Sequence, residues 1–205
     1  MYISKIKLNT KDSFVKEALR DVYKMHQLVM TAFPSPINKK ERVLYRLELH
    51  NSVPYLLIQS LFPQTTDSFL SQCIAPSVSG EPSVQTKQWE IHLSAQQKYA
   101  FRLRANPVKD KGGRRSPITD RSQQVDWLCR KGKLNGFDLL KVSVKTEGVI
   151  RGQKRSHNMR FLSVMYHGIL KPNDIRLLSE AIATGVGRER AFGFGLLSLS
   201  AVKNT

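Results

Sequence analysis

From Met1 to Leu8 apolar and polar residues alternate with the period of a half-buried strand, and from Phe14 to Phe33 the spacing changes to a helical stripe. Two further strand-like runs, Val43–His50 and Pro54–Ser60, flank the turn pair Asn51-Ser52. A short helix over Thr65–Cys73 and a strand over Lys87–Leu93 complete the order β-α-β-β-α-β. The segment from Ile74 to Val84, carrying Pro76, Gly80 and Pro82, reads as a loop within this first half. The same order then recurs. A strand runs from Tyr99 to Val108, a helix lies around Gln123–Lys131, strands follow in Phe137–Ile150 and Met159–Leu170, a helix starts at Asp174, and a last strand starts at Phe194. The pattern predicts an α+β chain of two tandem ferredoxin-like (βαββαβ, RRM-like) domains. The border falls near Ser94–Gln97, giving residues 1–94 and 95–205.

Between the last helix and last strand lies a segment that periodicity does not explain. Gly185–Leu199 reads GVGRERAFGFGLLSL, with Gly185, Gly187, Gly193 and Gly195 beside Arg188 and Arg190. Glycine admits positive φ and close approach of another backbone. Nucleotide-loop chemistry does not fit: a dinucleotide fingerprint needs a third glycine where Arg190 stands, and no Gly-Lys-Ser/Thr follows at phosphate-loop spacing. Such motifs also open a helix after a strand, whereas here the order is helix, glycine loop, strand. A turn that merely closes a helix fits the glycines as well as a backbone that receives an anion.

Charge changes the picture. The 205 residues carry a formal net charge of +17, and the stretch from Lys98 to Arg160 alone holds 17 basic against 5 acidic residues. A field of that sign attracts nucleic acid or an anionic surface. No apolar run is long enough to span a bilayer, which disfavours a membrane partner and suggests a cytoplasmic protein. Within the basic stretch, Arg151–His157 joins two strands and reads as a hairpin tip, while Lys109–Arg115 reads as a mobile basic loop. Extended basic projections suit the shape and phosphates of A-form RNA better than a recognition helix would.

Chemistry is sparse. Cys73 and Cys129 match no redox or metal spacing and are expected as reduced thiols; no metal-ligand motif is present, and neither metal nor cofactor is expected. RNA carries its own nucleophile, the 2′-hydroxyl, so cleavage requires only orientation and proton transfer. Histidine suits proton transfer near neutrality. Of His26, His50, His92, His157 and His167, His50 ends a strand and His92 and His167 lie inside strand-like runs, while His157 sits on the basic tip. His26 follows Tyr23 by three residues, so both side chains share one helix face. The same position lies near the apolar stripe of Val15, Val22, Val29 and Phe33, which leaves a core role open.

Four stretches in order, Tyr23-Lys24-Met25-His26-Gln27, Phe101–Pro107, Trp127-Leu128 and Gly185–Leu199, resemble the CRISPR-associated CasE endoribonucleases of the RAMP superfamily, along essentially the whole chain. The resemblance implies two ferredoxin-like domains that bind the stem-loop of the CRISPR repeat. It also implies cleavage at the 3′ base of the stem without metal, leaving a 2′,3′-cyclic phosphate, and retention of the product with other Cascade subunits. Carried onto this sequence, His26 matches the catalytic histidine and Tyr23 its helper. The hairpin with Arg151, Lys154, Arg155, His157 and Arg160 matches the groove-contacting element. Further RNA contacts are expected from Arg102, Arg104, Arg114, Arg115, Arg188 and Arg190. Two positions depart from the family pattern: Arg190 stands where relatives carry lysine, and Thr31 stands where some carry a second cation one turn beyond the histidine. A non-catalytic RNA-binding scaffold and a ribosome-associated basic protein are the alternatives that the residues leave open.

Overall fold

The computed structural model describes residues 1–33, 42–65, 68–77 and 82–202. Gly80 and part of the loop predicted around it lie outside the described residues. Packing divides the chain into two compact units, one of Met1–Glu90, Ile150–Arg160 and Ala191–Gly193, the other of Ile91–Val149, Phe161–Arg190 and Phe194–Thr205. Both have the ferredoxin-like architecture.

In the first unit, strands β1 (Tyr2–Lys7), β2 (Leu44–His50), β3 (Val53–Ser60) and β4 (Val84–Gln88) form a sheet of order β2-β3-β1-β4. The β2–β3 hairpin turns at Asn51 and Ser52, both at positive φ (49° and 64°), the twist that two-residue hairpin loops require. Its register sets Leu47 opposite Leu56 and Tyr45 opposite Ile58. The predicted strand over Lys87–Leu93 is shifted. β4 ends at Gln88 because its partner β1 begins at Tyr2, opposite Gln88, and the last bond of this edge runs from the Trp89 N–H to the Met1 carbonyl.

The helical stripe between Phe14 and Phe33 is two helices, α1 (Ser13–Ala18) and α2 (Val22–Met30). Asp21 makes the break: its backbone is extended (φ −131°, ψ 113°), and its side chain accepts from the N–H groups of Tyr23 and Lys24 as the N-cap of α2. Val15, Ala18, Met25, Leu28 and Val29 are buried against Ile6, Leu56 and Ile58 in one core, which a short helix α3 (Ser68–Cys73) completes with Leu70.

The second unit repeats the plan with β5 (Tyr99–Ala105), β8 (Phe137–Lys154), β9 (His157–Pro172) and β10 (Leu197–Ala201) in the order β10-β5-β9-β8. Residues 106–118 form a separate two-stranded ribbon, β6 (Val108–Lys111) and β7 (Arg114–Pro117). The predicted mobile loop is therefore a hairpin, because Gly112 and Gly113 supply positive φ at both turn positions (58° and 80°). Helix α4 (Arg121–Leu134) starts at the cap Asp120, and α5 (Ile175–Thr184) at the cap Asp174. Trp127 and Leu128 are core residues of this unit, Trp127 stacking on Tyr166 with ring centroids 6.0 Å apart. Burial raises the Tyr166 phenol far above its ordinary range. Cys73 is buried and Cys129 half-buried, both free thiols. No helix among the described residues is long and apolar enough to cross a membrane.

Candidate functional site

Helix α2 carries Tyr23 and His26 one turn apart, both half-buried, with ring centroids 6.5 Å apart and planes tilted by 43°. The core face of the helix is filled instead by Met25, Leu28 and Val29, so the imidazole is not absorbed into the apolar stripe. On its other side His26 meets Phe192 edge-on, centroids 5.9 Å apart. Phe192 closes a short 3-10 turn, Arg190–Phe192, within the glycine segment. The Ala191 carbonyl of that turn accepts hydrogen bonds from the His26 ring and, at 3.1 Å, from the Tyr45 hydroxyl. Gly193 makes this arrangement possible: at φ 82°, a Cβ there would lie 3.1 Å from the Tyr45 ring.

Burial lowers the His26 pKa below its ordinary value; the Ala191 hydrogen bond raises it, and the positive charge of Lys154 lowers it further. One ring nitrogen therefore keeps its proton, directed at Ala191, while the other presents a lone pair. Lys154 ends β8, with its ammonium 5.6 Å from the Tyr23 ring centroid. The next strand begins at His157, across a two-residue turn in which Arg155 takes φ 53°.

The hairpin tip is fastened to α2 by backbone. The Gln153 N–H donates to Asp21 Oδ2 at 3.1 Å, while Asp21 Oδ1 accepts from Tyr23 at 2.7 Å and Lys24 at 3.2 Å. Gly152 sits so near that a Cβ would fall 2.8 Å from Val22 and 3.0 Å from the Tyr23 nitrogen. Asp21, Tyr45, Gly152, Gln153 and Phe192 are members of this cluster that sequence reasoning missed. Only Asp21 left a local signal, an aspartate ahead of a helical run.

The other candidates are dispersed. Arg151, Arg155, His157 and Arg160 are exposed at the hairpin end in the first unit. Arg114 and Arg115 project from the β6–β7 ribbon, Arg115 facing Asp110 at 3.6 Å. Arg102 lies on the outer sheet face of the second unit, between Ser198 and His167 on its neighbouring strands, and these residues line a hollow of about 470 Å³. Arg104 is engaged internally, donating to Ser163 at 2.7 Å and Glu147 at 2.8 Å. Arg188 is exposed. Arg190 turns back on its own helix, its guanidinium donating to the Thr184 carbonyl at 2.7 Å and the Gly185 carbonyl at 3.2 Å. Gly185, Gly187 and Gly195 belong with it to the second unit, at φ 84°, 92° and 86°.

The family model described as CRISPR associated protein matches residues 1–201. The chain belongs to this CRISPR-associated protein family. Among its relatives, the CRISPR-associated endoribonuclease Cse3 of Thermus thermophilus is 26% identical over 220 residues, spanning 98% of this chain and 100% of the relative. The Cascade subunit CasE of Escherichia coli is 27% identical over 216 residues, spanning 98% and 99%. Cse3 solved with a bound 19-nucleotide RNA superposes with a TM-score of 0.83 at 27% identity, over 98% of this chain and 100% of the other.

Proposed function

We propose that this protein is a metal-independent endoribonuclease that binds the stem-loop of CRISPR repeat RNA, cuts at its 3′ base, and stays with the product among Cascade subunits. The observation that carries this is the His26 imidazole, held at one nitrogen by Ala191 and open at the other beside the Tyr23 phenol. With its pKa lowered, His26 is neutral at pH 7 and takes the proton of the attacking 2′-hydroxyl as general base. The 2′-oxygen bonds to phosphorus, the bond from phosphorus to the 5′-oxygen breaks, and a 2′,3′-cyclic phosphate and a 5′-hydroxyl result. Tyr23 orients the phosphate or supplies the proton to the departing oxygen. The hairpin cations Arg151, Arg155 and Arg160 hold the RNA backbone, with the net charge of +17 drawing it in.

The test uses a repeat stem-loop RNA in EDTA, beside the same RNA with a 2′-deoxy sugar immediately upstream of the cut. Cleavage of the first and survival of the second are expected. His26→Ala should bind the RNA and cut it roughly 10² to 10⁴ times more slowly. Cleavage of the deoxy substrate, or an unimpaired variant, would refute the proposal.

A further inference from the structure

A histidine acts as a base only from a nitrogen without a proton, and in a neutral imidazole the partner of the other nitrogen decides which one that is. Among the described residues, nothing on α2 makes that choice for His26. Thr31, one turn beyond it, spends its hydroxyl on the Leu28 carbonyl at 2.7 Å, and Lys24 is paired with Glu17. Tyr23 stands 6.5 Å away between ring centroids and tilted by 43°, a contact of rings that selects neither nitrogen.

The choice is made from the turn Arg190–Phe192, which meets the imidazole at two points. The Ala191 carbonyl accepts from the ring, and Phe192 lies edge-on to it with centroids 5.9 Å apart. No residue of this turn is buried, so it has no core of its own to hold it still. What holds it is Tyr45 on β2. The Tyr45 side chain lies in the same core cluster as Met25, Leu28 and Val29 of α2, and its hydroxyl donates to the Ala191 carbonyl at 3.1 Å. A buried tyrosine hydroxyl needs an acceptor, and any carbonyl within reach would meet that need. Here the acceptor is the oxygen that also takes the His26 proton, its two lone pairs serving both donors. Gly193 admits the phenol, since a Cβ at this position would lie 3.1 Å from the Tyr45 ring. His26, Tyr45 and Ala191–Gly193 all belong to the first unit.

We propose that Tyr45 is a positioning residue of the cleavage site: by holding the Ala191 carbonyl it fixes the orientation and tautomer of His26, and so which ring nitrogen faces the 2′-hydroxyl. This rests on the endoribonuclease function proposed above. The sheet, with Tyr45 in register opposite Ile58, supplies through one hydroxyl the order that a surface turn lacks. Without that hydroxyl the Ala191 carbonyl turns toward water, and the imidazole proton is shared between both nitrogens. A tyrosine that only satisfied its own hydroxyl would contribute to stability and leave the bound rate alone; a tyrosine that orders the base acts on the rate through His26.

The experiment is single-turnover cleavage of the repeat stem-loop at saturating full-length protein, with dissociation constants measured in parallel on the 2′-deoxy RNA. Tyr45→Phe keeps the ring and its packing and removes only the hydroxyl. It should bind normally and slow the bound-state rate roughly 10 to 10² fold, the scale of a misplacement of up to about 1 Å at a reacting group. Tyr55→Phe, which removes a hydroxyl from β3 beside Lys5, should cut normally. In a His26→Ala background, Tyr45→Phe should have no further effect on the residual rate, because residues that act as one unit are not additive. NMR of the His26 ring nitrogens in the free protein should show one neutral tautomer, and a mixture in Tyr45→Phe. Gly193→Ala disturbs the same joint from the other side and should give the same mixture. The Tyr45 role is overturned if Tyr45→Phe cuts at the normal rate when saturated, if it slows the His26→Ala variant as much as the parent, or if the tautomer is unchanged. If His26→Ala alone cuts normally, the underlying function fails, an outcome visible separately from these three.

Discussion

Replacing Arg190 by alanine separates two uses of one side chain, an RNA contact or a fastener of the glycine segment. The guanidinium donates to the Thr184 and Gly185 carbonyls at 2.7 and 3.2 Å, the open end of α5 where backbone acceptors lack helical partners. Hydrogen bonds from a charged donor contribute about 1.5 to 3 kcal/mol each when buried, and a cation at a helix C-terminus about 0.3 to 1 kcal/mol. Arg190 is half-exposed, so water recovers part of the loss, and a net cost of about 2 kcal/mol follows. For a chain of this size each kcal/mol moves the melting temperature by about 2 to 4 °C, so Arg190→Ala should melt about 4 to 8 °C lower. Arg190→Lys, with charge but no planar fork, should fall between. The assay is thermal unfolding followed by circular dichroism, with RNA affinity measured between 50 and 200 mM salt. A phosphate contact would cut the slope of log K against log salt by about 0.7 to 0.9, and none is expected here. An unchanged melting temperature together with a reduced salt slope would refute the fastening role.

Gly152→Ala should leave melting nearly unchanged yet slow cleavage, because its Cβ would meet Val22 at 2.8 Å and a backbone nitrogen at 3.0 Å, and the exposed tip can move away from α2. A displacement near 1 Å at a reacting centre costs about 10² in rate, so normal cleavage by this variant would show that the tip need not touch the helix. The rate profile of the free enzyme should lose activity below pH 6.5 rather than at it, since burial and Lys154 lower the His26 pKa from that ordinary value. The sign for stability is the same: the native state disfavours the charged imidazole, so this contribution is full above the unfolded pKa and is lost as pH falls through the lower folded one. An NMR titration placing His26 at or above 6.5 would contradict both statements.

The order of elements was legible because each is set by local periodicity, and the ferredoxin-like plan follows from that order alone. What failed was decided by partners or by single residues. Asp21 splits the stripe of Phe14–Phe33 because a carboxylate that satisfies two N–H groups makes a new helix start inside an apolar pattern. The β6–β7 ribbon was hidden by its charges, although Gly112-Gly113 is a hairpin turn signal, and β4 stops where β1 runs out of partners. At the candidate site, the Tyr23/His26 pair is visible at a spacing of three. Lys154, Ala191 and Phe192 approach it only through the fold, since no local pattern links residue 26 to residue 154 or 191.

The glycine segment is the instructive case. Its spacing excluded a nucleotide loop, and its chemistry suggested an anion-receiving backbone; the bonds it makes point to a different task. Gly193 clears room for the Tyr45 ring, which anchors Ala191, and Ala191 in turn fixes which His26 nitrogen carries the proton. Two residues later Gly195 lies under the stem of Arg190, where a Cβ would come within 2.8 Å, and the guanidinium locks the turn to α5. A histidine that must act as a base needs one nitrogen without a proton, and a single carbonyl suffices to choose which. In the proposed mechanism these glycines act through the backbone shape they allow beside Tyr45 and Arg190, a task that phosphate-loop spacing does not encode.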